Sequence, residues 1–160
     1  MDTILSDISM LVIPLQIVLF WLSLWLILRF FSSTVIATWL TNGLFMSSVA
    51  ALLIVNLGAQ LNVDDALSLR GLLTGQMIGM NFVVMPFYYW LDKRRSFLVH
   101  TSRAPEVVLH SLSFLGGAGG ALVSQKYFHH KTVKPGFRAK TWVAFTVNLV
   151  LFYAILFYIP

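Results

Sequence analysis

Apolar positions run through this chain in long blocks separated by short polar connections. Four blocks, at about 10–28, 34–57, 71–91 and 142–159, hold the roughly 18 to 25 residues that a helix needs to cross a hydrocarbon core of about 30 Å. Only Arg29 to Ser33 separates the first two, so the pattern predicts an antiparallel helical hairpin there. The connection at 58–69 carries Asp64 and Asp65, placed to cap the following helix and to complement its dipole. Tyr88, Tyr89, Trp90 and Trp142 fall where helix ends should meet lipid headgroups. A fifth apolar stretch, 106–128, is split by Gly116, Gly117, Gly119 and Gly120. The expectation is an all-α polytopic membrane protein with four transmembrane helices plus this glycine-broken segment, which is either re-entrant or spanning. No repeat or linker interrupts the chain, so 1–160 reads as a single helical membrane domain.

Composition points the same way. With 58% hydrophobic residues, 11% charged residues and a mean hydropathy of +0.82, too little polar surface remains to coat a water-soluble domain. Asp2 and Asp7, instead of a basic flank, precede the first block, so it is expected to be retained and not cleaved as a signal. The absence of cysteine removes disulfides, thiolate catalysis and thiolate metal sites.

Charge bears on the fifth block. If 106–128 crosses, the basic residues divide into Arg29, Lys93, Arg94, Arg95 and Arg103 against Arg70, Lys126, Lys131, Lys134, Arg138 and Lys140, which carries no orientation signal. If it dips in and returns, only Arg70 lies opposite the others, together with Asp2, Asp7, Asp64 and Asp65. The positive-inside rule then places both basic loops in the cytoplasm and both chain termini outside. The glycines favour a break, since each costs about 1 kcal/mol of helix propensity relative to alanine. Gly116 and Gly120, four apart, equally suit close helix packing, as do Gly71, Gly75 and Gly79 in the third block.

The candidate chemistry lies at the basic loops and beside them. Each positive charge near an anionic leaflet is worth about 1 kcal/mol, which makes anionic headgroups the expected partner. Arg103, Glu106, His130, Lys131, Lys134 and Arg138 are the candidate polar or anion-binding residues there. Pro105 suits the first helical position and puts Glu106 in the first turn, where negative charge is favoured. A hairpin brings Glu106 near His130 or Lys131, whereas a straight helix would hold Glu106 and His130 roughly 36 Å apart. Lys134 to Phe137 reads as a turn with Pro135 and Gly136 at its centre. His110 sits well inside an apolar block beside Ser111, Ser113 and the glycines, which makes it the candidate axial ligand of a haem or chlorophyll-type pigment. No other cofactor and no metal is expected. Asn42, Asn56, Gln76 and Asn81 suit hydrogen bonds between helices.

Several chemistries lack their residues. No carboxylate stands at mid-membrane depth, and no G-x-S-x-G, H-E-x-x-H, phosphate-binding glycine loop or dinucleotide fingerprint occurs. Aromatic residues among the basic ones are limited to Tyr127, Phe128 and Phe137, too few for a nucleic-acid stacking platform.

Asp92 to Arg95, then Arg103-x-Pro105-Glu106-x-x-Leu109, then Gly116, Gly117, Gly120 and Ala121, then His130-Lys131-Thr132-x-Lys134-x-x-Phe137 follow in one order and spacing. In this the chain resembles the small bacterial integral-membrane proteins of domain-of-unknown-function family 1294, over about 91–160. The resemblance implies membrane residence and no stated activity. The preferred function is a non-catalytic membrane component, an accessory or structural subunit that packs against itself or other membrane subunits and shows a basic cytoplasmic face to anionic lipid or a partner. The alternative is a membrane-embedded enzyme or a small-molecule or tetrapyrrole-binding protein with a polar site at the cytoplasmic interface. Arg103-x-Pro105 followed by Gly116 is similar to the motif of isoprenylcysteine methyltransferases and membrane sterol reductases, with Ala104 where those have histidine.

Overall fold

The computed structural model describes residues 18–64, 66–98, 103–129 and 135–159. All regular structure among them is helical. The chain divides between Thr41 and Asn42 into two compact units. The first unit contains α1 (Val18–Phe31) and the opening turns of α2 (Thr34–Gln60). There the Trp25 indole donates to the Thr38 hydroxyl across 3.2 Å, joining the two helices over the short connection as the block pattern predicts. Asp2, Asp7 and the first residues of the expected span 10–28 lie outside the described residues.

The second unit begins as α2 passes Asn42. It continues through α3 (Leu69–Gly79), α4 (Met85–Arg95), α5 (Glu106–Leu112), α6 (Ala118–Phe128) and α7 (Pro135–Tyr158). A π-turn at Met80–Val84 links α3 to α4 without a break, the Met85 N–H donating to the Met80 carbonyl five residues back. Ser68 starts α3 by accepting the Gly71 N–H at 3.1 Å. The cap is therefore this hydroxyl, one residue before the helix, and not Asp64, which is exposed four residues further back; Asp65 lies outside the described residues.

Glycine sets how closely α2 and α3 approach. A Cβ on Gly79 would stand 2.9 Å from the Ser47 carbonyl, and one on Gly75 would stand 3.2 Å from the Ala51 carbonyl. The same interface is tied by Gln76 donating to Ser47 at 2.6 Å. Gly71, the third member of that stripe, serves instead as the N–H that Ser68 caps.

The glycine-broken block doubles back. Near one end of it, the Ala104 N–H donates to the Asp92 carboxylate at 3.1 Å; at the other, the Lys93 ammonium donates to the Phe128 carbonyl at 2.6 Å. Asp92 and Lys93 are neighbours, so the reach of their two side chains limits Ala104 and Phe128 to about 20 Å of each other. A straight helix would part them by roughly 36 Å. The turn falls at Leu115 (φ −79°, ψ 19°) and Gly116 (φ 116°, ψ −3°), the latter in the left-handed region that favours glycine.

The contacts order the helices along one axis. Asn81, Tyr89 and Lys93 meet Gly120, Gln125 and Phe128 in turn, so α4 and α6 run parallel. α5 runs against α4, from Ala104 beside Asp92 to Gly116 beside Met77. α7 runs against α6, with Thr141 beside Gln125 and Asn148 beside Ala118. Tyr88, Tyr89, Met80, Met85, Leu109 and Leu112 fill the core between them. Tyr88 and Tyr89 are thus core residues and not headgroup anchors; only Trp90 of that trio is exposed, with Arg94 5.3 Å from its ring centre. Pro135 opens α7 as its first residue, the position where proline's missing N–H costs nothing, so Pro135 to Phe137 of the predicted turn form a helix start, and Lys134 lies outside the described residues.

Among the described residues, three helical runs are long and apolar enough to cross a membrane: Thr34–Gln60, Glu106–Phe128 and Gly136–Tyr158. The middle one is the run that doubles back, and it is the most enclosed, buried over 56% of its most apolar stretch against 17% for α7.

Replacing Gly79 by valine should overpack the α2–α3 contact and lower stability by about 1 to 3 kcal/mol. Thermal unfolding in detergent, followed by circular dichroism, measures this against Gly136→Val, a glycine with open space around it.

Candidate functional site

The turn between α5 and α6 frees backbone groups that a continuous helix would have paired. Two asparagines from other helices take them up. Asn81, in the π-turn, donates to the Gly116 carbonyl at 2.5 Å and to the Met77 carbonyl at 2.8 Å, while its side-chain oxygen accepts the Gly120 N–H at 2.6 Å. Asn148, in the middle of α7, donates to the Phe114 carbonyl at 3.1 Å and accepts the Ala118 N–H at 3.3 Å. Gly120 is required by the same contact, because a Cβ there would fall on the Asn81 backbone. Unsatisfied backbone in an apolar layer costs several kcal/mol per group, so this double clamp is what makes the turn affordable.

A second polar layer lies about one helical turn inside the hairpin's open end. Gln125 of α6 donates to both the Tyr89 hydroxyl and the Thr141 hydroxyl at 2.9 Å, joining α4, α6 and α7, and all three residues are buried. The third layer closes the open end. Asp92 is fully buried, accepts the Ala104 N–H and lies 3.6 Å from the Arg103 guanidinium. Lys93 neutralises the carbonyl end of α6 at Phe128, where a cation is favoured.

The open end is where the basic side chains collect. Lys93, Arg94 and Arg95 end α4, Arg103 precedes α5, Lys126 lies in the last turn of α6, and Arg138 and Lys140 lie in the first turns of α7. Of the sequence-predicted residues, Arg103 joins Asp92, while Glu106 and Arg138 are exposed at this end. His130, Lys131 and Lys134 lie outside the described residues. His110 is half-buried, its ring centre 4.2 Å from that of Phe137, one turn from the open end and not deep in the hairpin. Among the described residues no group of three or more His, Asp or Glu side chains converges as a metal site would.

Beside the turn, α3, α4, α6 and α7 enclose a lateral groove of about 560 Å³. Phe82, Pro86, Val123, Phe145 and Leu149 are among its walls, and Asn81 and Asn148 lie among them at the level of the turn.

The residues that sequence reasoning passed over are Asn148 and Gln125, while Asp92 stood out only as an acid beside basic residues. Asn148 carried a readable signal, a lone amide in the centre of the most apolar block. Replacing either clamp by leucine should leave two backbone groups without partners and lower thermal stability by about 2 to 4 kcal/mol, with Asn81→Leu plus Asn148→Leu departing from additivity because both hold one turn. Circular dichroism melts of the three variants in detergent provide the measurement.

No curated protein and no solved structure matches the chain. The family whose model does match is described as "Protein of unknown function (DUF1294)", over residues 81–137. The match begins at the Asn81 clamp and ends at Phe137, against His110, so it takes in α4, α5, the turn and α6. Residues 81–137, which include the folded-back hairpin, are similar to that family.

Proposed function

We propose that this chain is a non-catalytic integral component of a bacterial inner membrane, with the hairpin α5–α6 re-entering from the cytoplasmic side. The observation that carries the reading is the return of both ends of the glycine-broken block to Asp92 and Lys93. The length of α6 agrees with it, since 11 residues rise about 16 Å, half of a hydrocarbon core. In this arrangement the basic end faces the cytoplasm and anionic headgroups, at about 1 kcal/mol for each positive charge near them. The end of α7 and the α2–α3 connection, with Asp64, lie outside. The broad apolar exposure of α7, including Val143, Val147, Val150 and Phe157, suits lipid or a neighbouring membrane subunit. Arg103 is engaged with a buried carboxylate, which favours a structural use of that residue over a catalytic one.

The chain has no cysteine, so single cysteines report sidedness directly. In intact bacterial cells, Ser96→Cys and Lys126→Cys should both resist a membrane-impermeant maleimide until the membrane is opened, while Val63→Cys should react at once. Labelling of Ser96→Cys and Lys126→Cys from opposite compartments would refute the re-entrant arrangement.

A further inference from the structure

We infer that the lateral groove beside the hairpin turn seats one acyl chain of an anionic glycerophospholipid whose phosphate is held by Lys126 and Arg138. This rests on the reading that the basic end faces an anionic leaflet, and it names a particular lipid seat within that reading. The groove offers an occupant almost nothing polar. Its two amide side chains, Asn81 and Asn148, have already spent both donor and acceptor on the backbone of the turn. What remains is hydrocarbon from Phe82, Pro86, Val123, Phe145 and Leu149, in a space within the range of small-ligand sites. A hydrocarbon chain fits that chemistry, and water or a polar metabolite does not.

The charges sit where such a chain would end. Gly119, Val123 and Lys126 follow at i, i+4 and i+7, one stripe of α6, and the first two line the groove. On α7, Arg138 precedes Phe145 and Leu149 by 7 and 11 residues, again one stripe, and the latter two line the groove from the other side. Because α6 rises toward the basic end as α7 starts from it, both cations stand on the same side of the hydrocarbon, one above each wall. Lys126 and Arg138 are exposed and lie outside the hydrogen-bonded layers that hold the hairpin together. An anionic headgroup above an apolar slot is the amphiphile that this order of surfaces complements. A half-depth hairpin between full-length helices also leaves the slot open sideways, which is the direction from which a lipid arrives.

Native mass spectrometry of the purified full-length protein, titrated in detergent with phosphatidylglycerol and with phosphatidylcholine of identical chains, tests this. The wild-type protein should retain phosphatidylglycerol in preference to phosphatidylcholine. Lys126→Gln and Arg138→Gln should each weaken phosphatidylglycerol about fivefold and leave phosphatidylcholine unchanged. Val123→Trp and, on the opposite wall, Leu149→Trp should reduce both lipids, with circular dichroism melts identifying a variant that has not folded. Equal retention of the two lipids by the wild-type protein would overturn the headgroup assignment. Full retention of phosphatidylglycerol by both folded tryptophan variants would overturn the groove as the seat, while the charge variants and the cysteine labelling would still report on the basic face separately.

Discussion

A peptide backbone cannot stop being helical inside an apolar layer unless something else takes its hydrogen bonds. That constraint governs this protein at Phe114, Gly116, Ala118 and Gly120, whose carbonyls and N–H groups are supplied by Asn81 and Asn148. The clamps come from the π-turn between α3 and α4 and from α7, so the turn exists only when both are in place around it. Gly116 contributes the backbone angle and Gly120 the missing side chain; neither would be sufficient without the asparagines.

Once the turn is held, the rest of the second unit follows from lengths and directions. Two short helices must return to the level at which they began, and the groups that meet there are Asp92, Arg103, Lys93 and the end of α6. Gln125 ties α4, α6 and α7 one helical turn inside that end. The hairpin is therefore laced at its turn, just inside its mouth and at the mouth itself, each time by a polar side chain that pairs with backbone or with another polar side chain. Buried polar layers of this kind are costly when incomplete, which makes each one a specification of register as well as a bond.

The gathering of positive charge at one end is a consequence of that return. Basic residues that are far apart along the chain, such as Lys93 and Arg138, come to one end because the segment between them doubles back. The lateral groove has the same origin. Where α3, α4 and α7 continue past the turn, the hairpin does not, and the space beside it is lined by what those helices present.

Much of this was legible in order along the chain. The apolar blocks, the short connection after Arg29 and the four glycines define a helical protein with one interrupted segment, and the charge pattern already leaned toward a fold-back. The clamps were not legible as such. An asparagine in an apolar block announces a hydrogen bond but not its partner, and Asn81 and Asn148 reach their partners across sequence separations of 30 residues or more. Asp92 reads as one acid among basic neighbours, and only the approach of Ala104 makes it a buried acceptor. Likewise Tyr88 and Tyr89 have the composition of a headgroup belt and the positions of a core. Sequence alone determined which segments are helical and apolar, because hydropathy and helix breaking are local properties. Whether the broken segment runs straight or folds back was decided by tertiary structure, because it depends on which distant side chains satisfy the freed backbone.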